Sequence, residues 1–279
     1  MANYTTADIK ALREKTGAGM LDVKKALDEA DGDAEKAIEI IRVKGLKGIA
    51  KREGRSASAG LIAAKVVDSA DGQTGVLVEI NAETDFVAKN DKFLAFAEQV
   101  LTAALDSGAQ DAEALAEVVV DGSTVKELTD AMQAVIGEKI VVRRVARLEG
   151  KNVALYLHRT SPDLPAQVGV LVATDDAASQ VARDVAMHIA AYSPAYLTRE
   201  DVPADVVAKE EAIAEETTRA EGKPEKAIPN IVKGRMNGFF KENVLLEQAY
   251  AKDPKTTVGK VAQAAGGEVT GFARFRVGA

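Results

Sequence analysis

Gly75-Val-Leu-Val-Glu79 and Gly169-Val-Leu-Val-Ala173 are two nearly identical runs far apart in one chain. Self-similarity of this kind marks a repeated structural unit. Working outward from each run gives the same order of elements. A β-like stretch precedes it, Leu61 to Val67 in the first copy and Val153 to His158 in the second. A helix with one apolar face follows, Phe93 to Leu101 and Val181 to Ile189. Each copy then reaches a Thr-Val pair that opens a helix, at Thr124 and Thr257. Each closes on a strand, Ile140 to Arg147 and Val269 to Arg276. The pattern predicts an α+β fold with two related subdomains, each a small antiparallel sheet backed by helices.

The copies differ in two places. Gly75 to Thr124 spans 49 positions and Gly169 to Thr257 spans 88, so the second copy carries about 39 extra residues. They fall near 202–240, where Pro203 suits a first helical turn, Glu221-Gly-Lys-Pro-Glu225 reads as a turn, and Ile231, Val232, Met236 and Phe239 mark a second helix. This predicts an inserted helical hairpin, in which Pro229 must kink or restart the helix. The first copy instead inserts Ile80 to Asn90 between strand and helix. The second copy closes without that segment, so it is a loop the fold does not need and a candidate for function. It also carries Phe86, in a chain only 4% aromatic.

Ahead of the repeat, residues 1–45 read as three short helices. Thr5 to Asp8 resembles a capping box, Gly17-Ala18-Gly19 breaks the first helix, Met20 to Leu27 forms the second, and Asp31-Gly32-Asp33 caps a third through Ala37, Ile38, Ile41 and Val43. Residues 46–59, rich in Gly, Ser and basic side chains, read as a linker, with an RNA-binding arm as the alternative. The expected units are 1–54 (helical module and linker), 55–148 (first core subdomain), 149–201 with 241–279 (second core subdomain), and 202–240 (the hairpin).

Composition narrows the function. With 279 residues, 47% apolar and 28% charged, the chain is of ordinary globular type. A net charge of −7 argues against a general nucleic-acid binder. There is no cysteine, hence no disulfide and no thiolate metal site, which fits a reducing cytoplasm. Met1 to Thr5 lacks an apolar signal core, and no apolar run is long enough to span a membrane. No nucleophile elbow, phosphate loop or dinucleotide fingerprint is present. Of the two histidines, His188 sits on a helix between Met187 and Ile189 and reads as packing, while His158 ends a strand and suits either a surface or a structural role. Glu83 and Asp85 are paired acids that could serve acid–base or metal chemistry. The competing reading is a polar loop in which Asp85 caps the next helix, and the flanking Phe86 and Val87 suit a contact loop better than a hydrated metal site.

Thr84-Asp-Phe-Val-Ala-Lys-Asn90 resembles the signature of the bacterial elongation factor Ts family, the guanine-nucleotide exchange factors of elongation factor Tu. Leu12-Arg-Glu-Lys-Thr-Gly-Ala-Gly-Met20 with Lys24-Lys25-Ala26-Leu27 is similar to that family's N-terminal signature. Ile136-Gly-Glu-Lys-Ile-Val-Val-Arg-Arg-Val145, Glu221-Gly-Lys-Pro224, Gly234-Arg-Met236 and Glu268-Val-Thr-Gly-Phe-Ala-Arg-Phe275 extend the resemblance over essentially the whole chain. It implies a ubiquitin-associated-like N-terminal module, two related core subdomains and a coiled-coil-like hairpin. It implies a partner, elongation factor Tu, both GDP-bound and nucleotide-free, and no chemical reaction, cofactor, bound metal, nucleic acid or membrane. By the same resemblance, the Thr84–Val87 loop reaches the magnesium region of the GTPase, with Asp85 and Phe86 as the key pair and Thr84 and Val87 as their frame, and Leu12, Met20, Ile136, Gly137 and His158 are further contacts. Some family members continue past the last core strand into a C-terminal helical module, so that contact is expected to be missing or replaced here. The hairpin is a candidate for self-association. A tethering module without exchange activity, and an enzyme dependent on Glu83 or Asp85, are the rival readings.

Overall fold

The computed structural model describes residues 3–16 and 18–279. Three helices come first: α1 (Thr6–Thr16), α2 (Met20–Glu29) and α3 (Ala34–Arg52). Thr5 and Asp8 cap α1 reciprocally, Thr5 N donating to Asp8 Oδ2 at 2.7 Å and Asp8 N to Thr5 Oγ1 at 3.3 Å. Asp33 caps α3 by accepting from Glu35 N and Lys36 N. Leu12, Val23, Ala26, Leu27 and Ala37 fill the small core between the helices. Of the Gly17-Ala18-Gly19 breaker, Gly17 lies outside the described residues, and Gly19 stands in extended backbone just before α2.

The predicted linker is a correction. Its first half is the last two turns of α3, which runs to Arg52. Gly45 explains why: it faces Ala134 of a later helix so closely that a Cβ there would lie 2.8 Å from Ala134 Cβ. The glycine permits a close helix crossing rather than breaking the helix. Val43, expected on the packed face, is exposed instead.

The first copy comprises β1 (Ala59–Ser69), β2 (Gly72–Ala82), a single turn α4 (Asp85–Ala88), α5 (Asp91–Ser107), α6 (Ala112–Ala116), a short pair β3 (Val119–Val120) and β4 (Ser123–Thr124), α7 (Val125–Ile136) and β5 (Ile140–Gly150). The second comprises β6 (Asn152–His158), β7 (Val168–Thr174), α8 (Ser179–Tyr192), the inserted α9 (Ala204–Ala220) and α10 (Ile228–Asn243), a short pair β8 (Ala249–Tyr250) and β9 (Asp253–Thr257), α11 (Val258–Ala264) and β10 (Val269–Arg276). Both sheets are three-stranded and antiparallel, ordered β1-β2-β5 and β10-β7-β6, with the Gly-Val-Leu-Val strand central in each. The threonines repeat as well: Thr124 caps α7 with a full capping box, and Thr257 accepts from Lys260 N to cap α11.

The motif divides its residues between two layers. Val76 and Val78 pack on α5, and Val170 and Val172 pack on α8. Leu77 and Leu171 point the other way and meet each other, with Ile62, Val153 and Ala173, between the two sheets. The sheets are therefore backed by helices on one side and by each other on the second. The repeated glycines set this contact. A Cβ on Gly75 would lie 2.7 Å from Leu171 Cδ2, and one on Gly169 would lie 2.5 Å from Ile62 Cγ2 and 3.2 Å from Leu77 Cδ2. Strand alternation places Glu79 on the same face, fully buried. Arg144 Nη2 pairs with its carboxylate at 2.5 Å and Gly278 N donates to it at 3.0 Å, so the buried charge is satisfied.

The insertion is a helical hairpin. A single 3-10 turn over Glu225–Ala227 precedes α10, and Pro229 falls in that helix's first turn, where its missing amide costs nothing. Arg199 pins the base, pairing with Glu247 through both carboxylate oxygens and stacking 4.4 Å from the centre of Phe240. No described helix is long and apolar enough to cross a membrane.

The inter-sheet contact predicts that Gly169→Ala is destabilising. The added methyl meets the branched Cγ2 of Ile62, which cannot swing aside, so a loss of about 1–3 kcal/mol is expected. Urea unfolding followed by circular dichroism should show a lower midpoint at unchanged slope.

Candidate partner-binding site

The inserted segment is more structured than a loop. Ile80 to Ala82 complete β2 and are buried. Thr84 then leaves the strand in extended backbone and caps α4, its Oγ1 accepting from Val87 N at 3.4 Å. Successive residues of a helical turn point about 100° apart, so four residues divide between two directions. Val87 and Ala88 enter the first core, while Asp85 and Phe86 face outward. Asn90, rather than Asp85, caps α5 by accepting from Lys92 N at 2.9 Å.

Phe86 is 75% exposed. Its burial would be worth about 1.5–3 kcal/mol, which the isolated chain forgoes. Lys89 Nζ stands 5.1 Å from the ring centre and lends the turn a positive flank. Among the described residues Asp85 makes no side-chain hydrogen bond or ion pair, so its carboxylate stays available.

This turn is tied to two other segments. Lys139 N donates to Glu83 Oε1 at 2.6 Å, and Arg55 Nη1 pairs with the same carboxylate at 3.2 Å. The Lys139 amide, followed by Arg55, holds the Glu83 carboxyl below its ordinary range. Thr84 N and Thr84 Oγ1 donate to the two oxygens of Glu138, at 3.0 and 2.8 Å. Gly137 makes the intervening bend, ending α7 in the left-handed region at φ +84°. Arg52 donates to the carbonyls of Gln133 and Gly137, and Lys139 Nζ to those of Glu53 and Arg55. The end of α3, the Phe86 turn and the 137–139 bend thus form one hydrogen-bonded joint. The basic residues expected in a free linker or RNA arm are partly used up inside it.

The remaining expected contacts are placed as follows. Met20 is exposed, and Leu21, which sequence reasoning passed over, is more so at 72%. Leu12 fills the helical module's core at 5% exposure, and Val87 is buried, so both support the surface from beneath. Ile136 packs partly against the first core beside the exposed Gly137. His158 is exposed at the end of β6, with Tyr156 Oη 3.2 Å from its Nδ1 and the partly exposed Leu157 beside it. The structure joins Thr84–Val87 to Ile136–Gly137 through Glu138. It leaves Met20 on the helical module and His158 on an edge strand of the second sheet.

The paired acids do not act as a pair: Glu83 is committed to Lys139 and Arg55, whereas Asp85 faces solvent. Among the described residues no group of three or more His, Asp or Glu side chains is arranged to hold a metal ion.

The family model described as Elongation factor TS matches residues 83–279, from Glu83 at the head of the Phe86 turn onward. A 68% identical relative over the full length of both chains is the elongation factor Ts of Beutenbergia cavernae. Those of Micrococcus luteus and Arthrobacter sp., at 64% and 62%, are likewise matched over their full length. The chain belongs to the elongation factor Ts family.

This elongation factor Ts fold holds its second histidine away from that surface. His188 is 1% exposed and stacks on Tyr192 at 4.6 Å between ring centres. Ala251 N donates to its Nδ1 at 3.2 Å, so its Nε2 carries the proton and donates to Gln248 Oε1 at 2.8 Å. Gln248 is oriented for this by donating to Glu242 O at 2.7 Å. Only the neutral ring can accept the Ala251 amide, and burial pushes the His188 pKa down, against the Gln248 hydrogen bond, which favours the charged form. With the folded value below the unfolded one, the unfolded chain takes up a proton first as pH falls through about 6.5. Stability is therefore expected to decline between pH 7 and pH 5. In His188→Gln the decline should be flatter, measured by urea unfolding at both pH values.

Proposed function

We propose that this chain is a guanine-nucleotide exchange factor that binds elongation factor Tu in the cytoplasm, loosens its magnesium and releases its GDP. The observation that carries the reading is the braced turn that presents Asp85 and Phe86 outward together, with Phe86 75% exposed. Membership of the elongation factor Ts family supplies the partner.

Exchange of this kind needs no covalent step. A GTPase holds its nucleotide through phosphate contacts and a bridging Mg²⁺. The factor needs a bound state incompatible with those contacts. Phe86 acts as the wedge, entering the GTPase beside the metal, and Asp85 brings a carboxylate to the metal's water shell or to the element that carries it. Burial of one Phe supplies about 1.5–3 kcal/mol, whereas a 10⁴-fold change in nucleotide affinity needs about 5.5 kcal/mol. Other contacts must contribute the rest. Met20 with Leu21, the Ile136–Gly137 bend and His158 with Leu157 are apolar or polar groups available for this. Coupling is reciprocal, so incoming nucleotide expels the factor as strongly as the factor expels nucleotide. The same protein can then act repeatedly.

The test is release of a fluorescent GDP analogue from purified elongation factor Tu, chased with excess GDP. The intact chain should accelerate release when present in substoichiometric amount. Phe86→Ala should lower the acceleration about ten- to hundredfold and shift the melting temperature by no more than about 2 °C, because the ring contributes little to the factor's own core. Tight binding with an unchanged release rate would point to a tether and refute exchange.

A further inference from the structure

We infer that Glu138 is the positioning residue of the Asp85–Phe86 turn; the inference rests on the exchange reading above. The strand register shows what the residue does. β2 and β5 pair with Ala82 opposite Ile140. One step further Glu83 lies opposite Lys139, and two steps further Thr84 lies opposite Glu138. The backbone ladder has ended there, yet the antiparallel pairing continues through carboxylates. Glu83 accepts the Lys139 amide, and Glu138 accepts the Thr84 amide and hydroxyl.

The second copy separates the two brackets. Asp175 follows β7 as Glu83 follows β2, and its Oδ2 accepts the amide of Glu268, the residue just before β10, at 3.2 Å. The acid-to-amide bracket thus occurs in both copies and belongs to the closure of the repeat. In the second copy Asp175 Oδ1 then accepts from Ala178 N and the chain passes straight into α8. The bracket between Thr84 and Glu138 has its place only where the extra turn exists. Thr84 is the cap of that turn. With its amide and hydroxyl both donated to Glu138, the hydroxyl lone pair faces Val87 N and the direction of Asp85 and Phe86 is fixed. Glu138 also adjoins Gly137, whose carbonyl accepts from Arg52 at 3.4 Å. The same residue therefore sets the wedge against the module that carries Met20.

Glu138→Gln tests this, since an amide retains one acceptor where two are needed. A fixed wedge adds to displacement of nucleotide more than to encounter. Release rates measured over a range of factor concentrations should show a plateau lowered about tenfold, with the half-saturating concentration nearly unchanged. Because Glu138 acts through the turn, adding Glu138→Gln to Phe86→Ala should cost less than threefold further, a non-additivity that a general loss of folding would not give. Thr84→Val serves as the second variant if Glu138→Gln lowers the folded fraction: it removes the hydroxyl that Glu138 accepts while leaving Glu138 in place, so it should lower the plateau in the same way. A plateau equal to that of the unsubstituted chain, or full additivity with Phe86→Ala, overturns the inference while leaving exchange intact. Absence of any acceleration by the unsubstituted chain overturns the exchange reading and this inference with it.

Discussion

The close approach of the two sheets at Gly75 and Gly169 is the constraint on which the remaining architecture depends. Each sheet has three strands, too few to bury both faces alone. One face is covered by helices, and the other is covered by the sister sheet because a glycine stands where a side chain would hold them apart. Leu77 and Leu171 then interdigitate, and the two repeats become one core. That core fixes the ends of β2 and β5, from which the Phe86 turn and the Gly137 bend emerge side by side.

Rigidity at that joint comes from polar bonds rather than apolar packing. Glu83, Glu138, Lys139, Arg52 and Arg55 connect three chain segments that are distant in sequence. Most of these groups are partly solvated, so each bond alone is worth little. Together they hold an exposed aromatic ring in one orientation at the point where the proposed contact with elongation factor Tu must be made. A ring on a mobile loop would lose part of its binding energy to ordering on every encounter.

Much of this was legible in the sequence because the chain states its architecture twice. The Gly-Val-Leu-Val runs, the threonine caps and the length difference between copies located the strands, the helices, the hairpin and the extra turn. What the runs could not show is which residues face the sister sheet, since that depends on the two copies packing together. The end of α3 has a related cause. The Gly-, Ser- and basic-rich stretch after residue 45 signals a linker locally, but Gly45 permits α3 to cross α7 beside Ala134, and the helix runs on to Arg52. Leu12 and Val87 lie within signature motifs, yet they are the inward residues of elements whose outward residues are Met20, Leu21, Asp85 and Phe86. Glu138 carried no local signal, because its partner Thr84 is opposite it only once the β2–β5 register is known.

The central claim is that the Phe86 turn meets the GTPase while the core behind it stays as it is. Amide hydrogen exchange of this chain, alone and with nucleotide-free elongation factor Tu, tests it directly. The account predicts new protection over residues 85–89, with lesser protection around Met20–Leu21 and the Gly137 bend, and unchanged protection in β2 and β7. Binding that leaves residues 85–89 exchanging as in the free chain would contradict it.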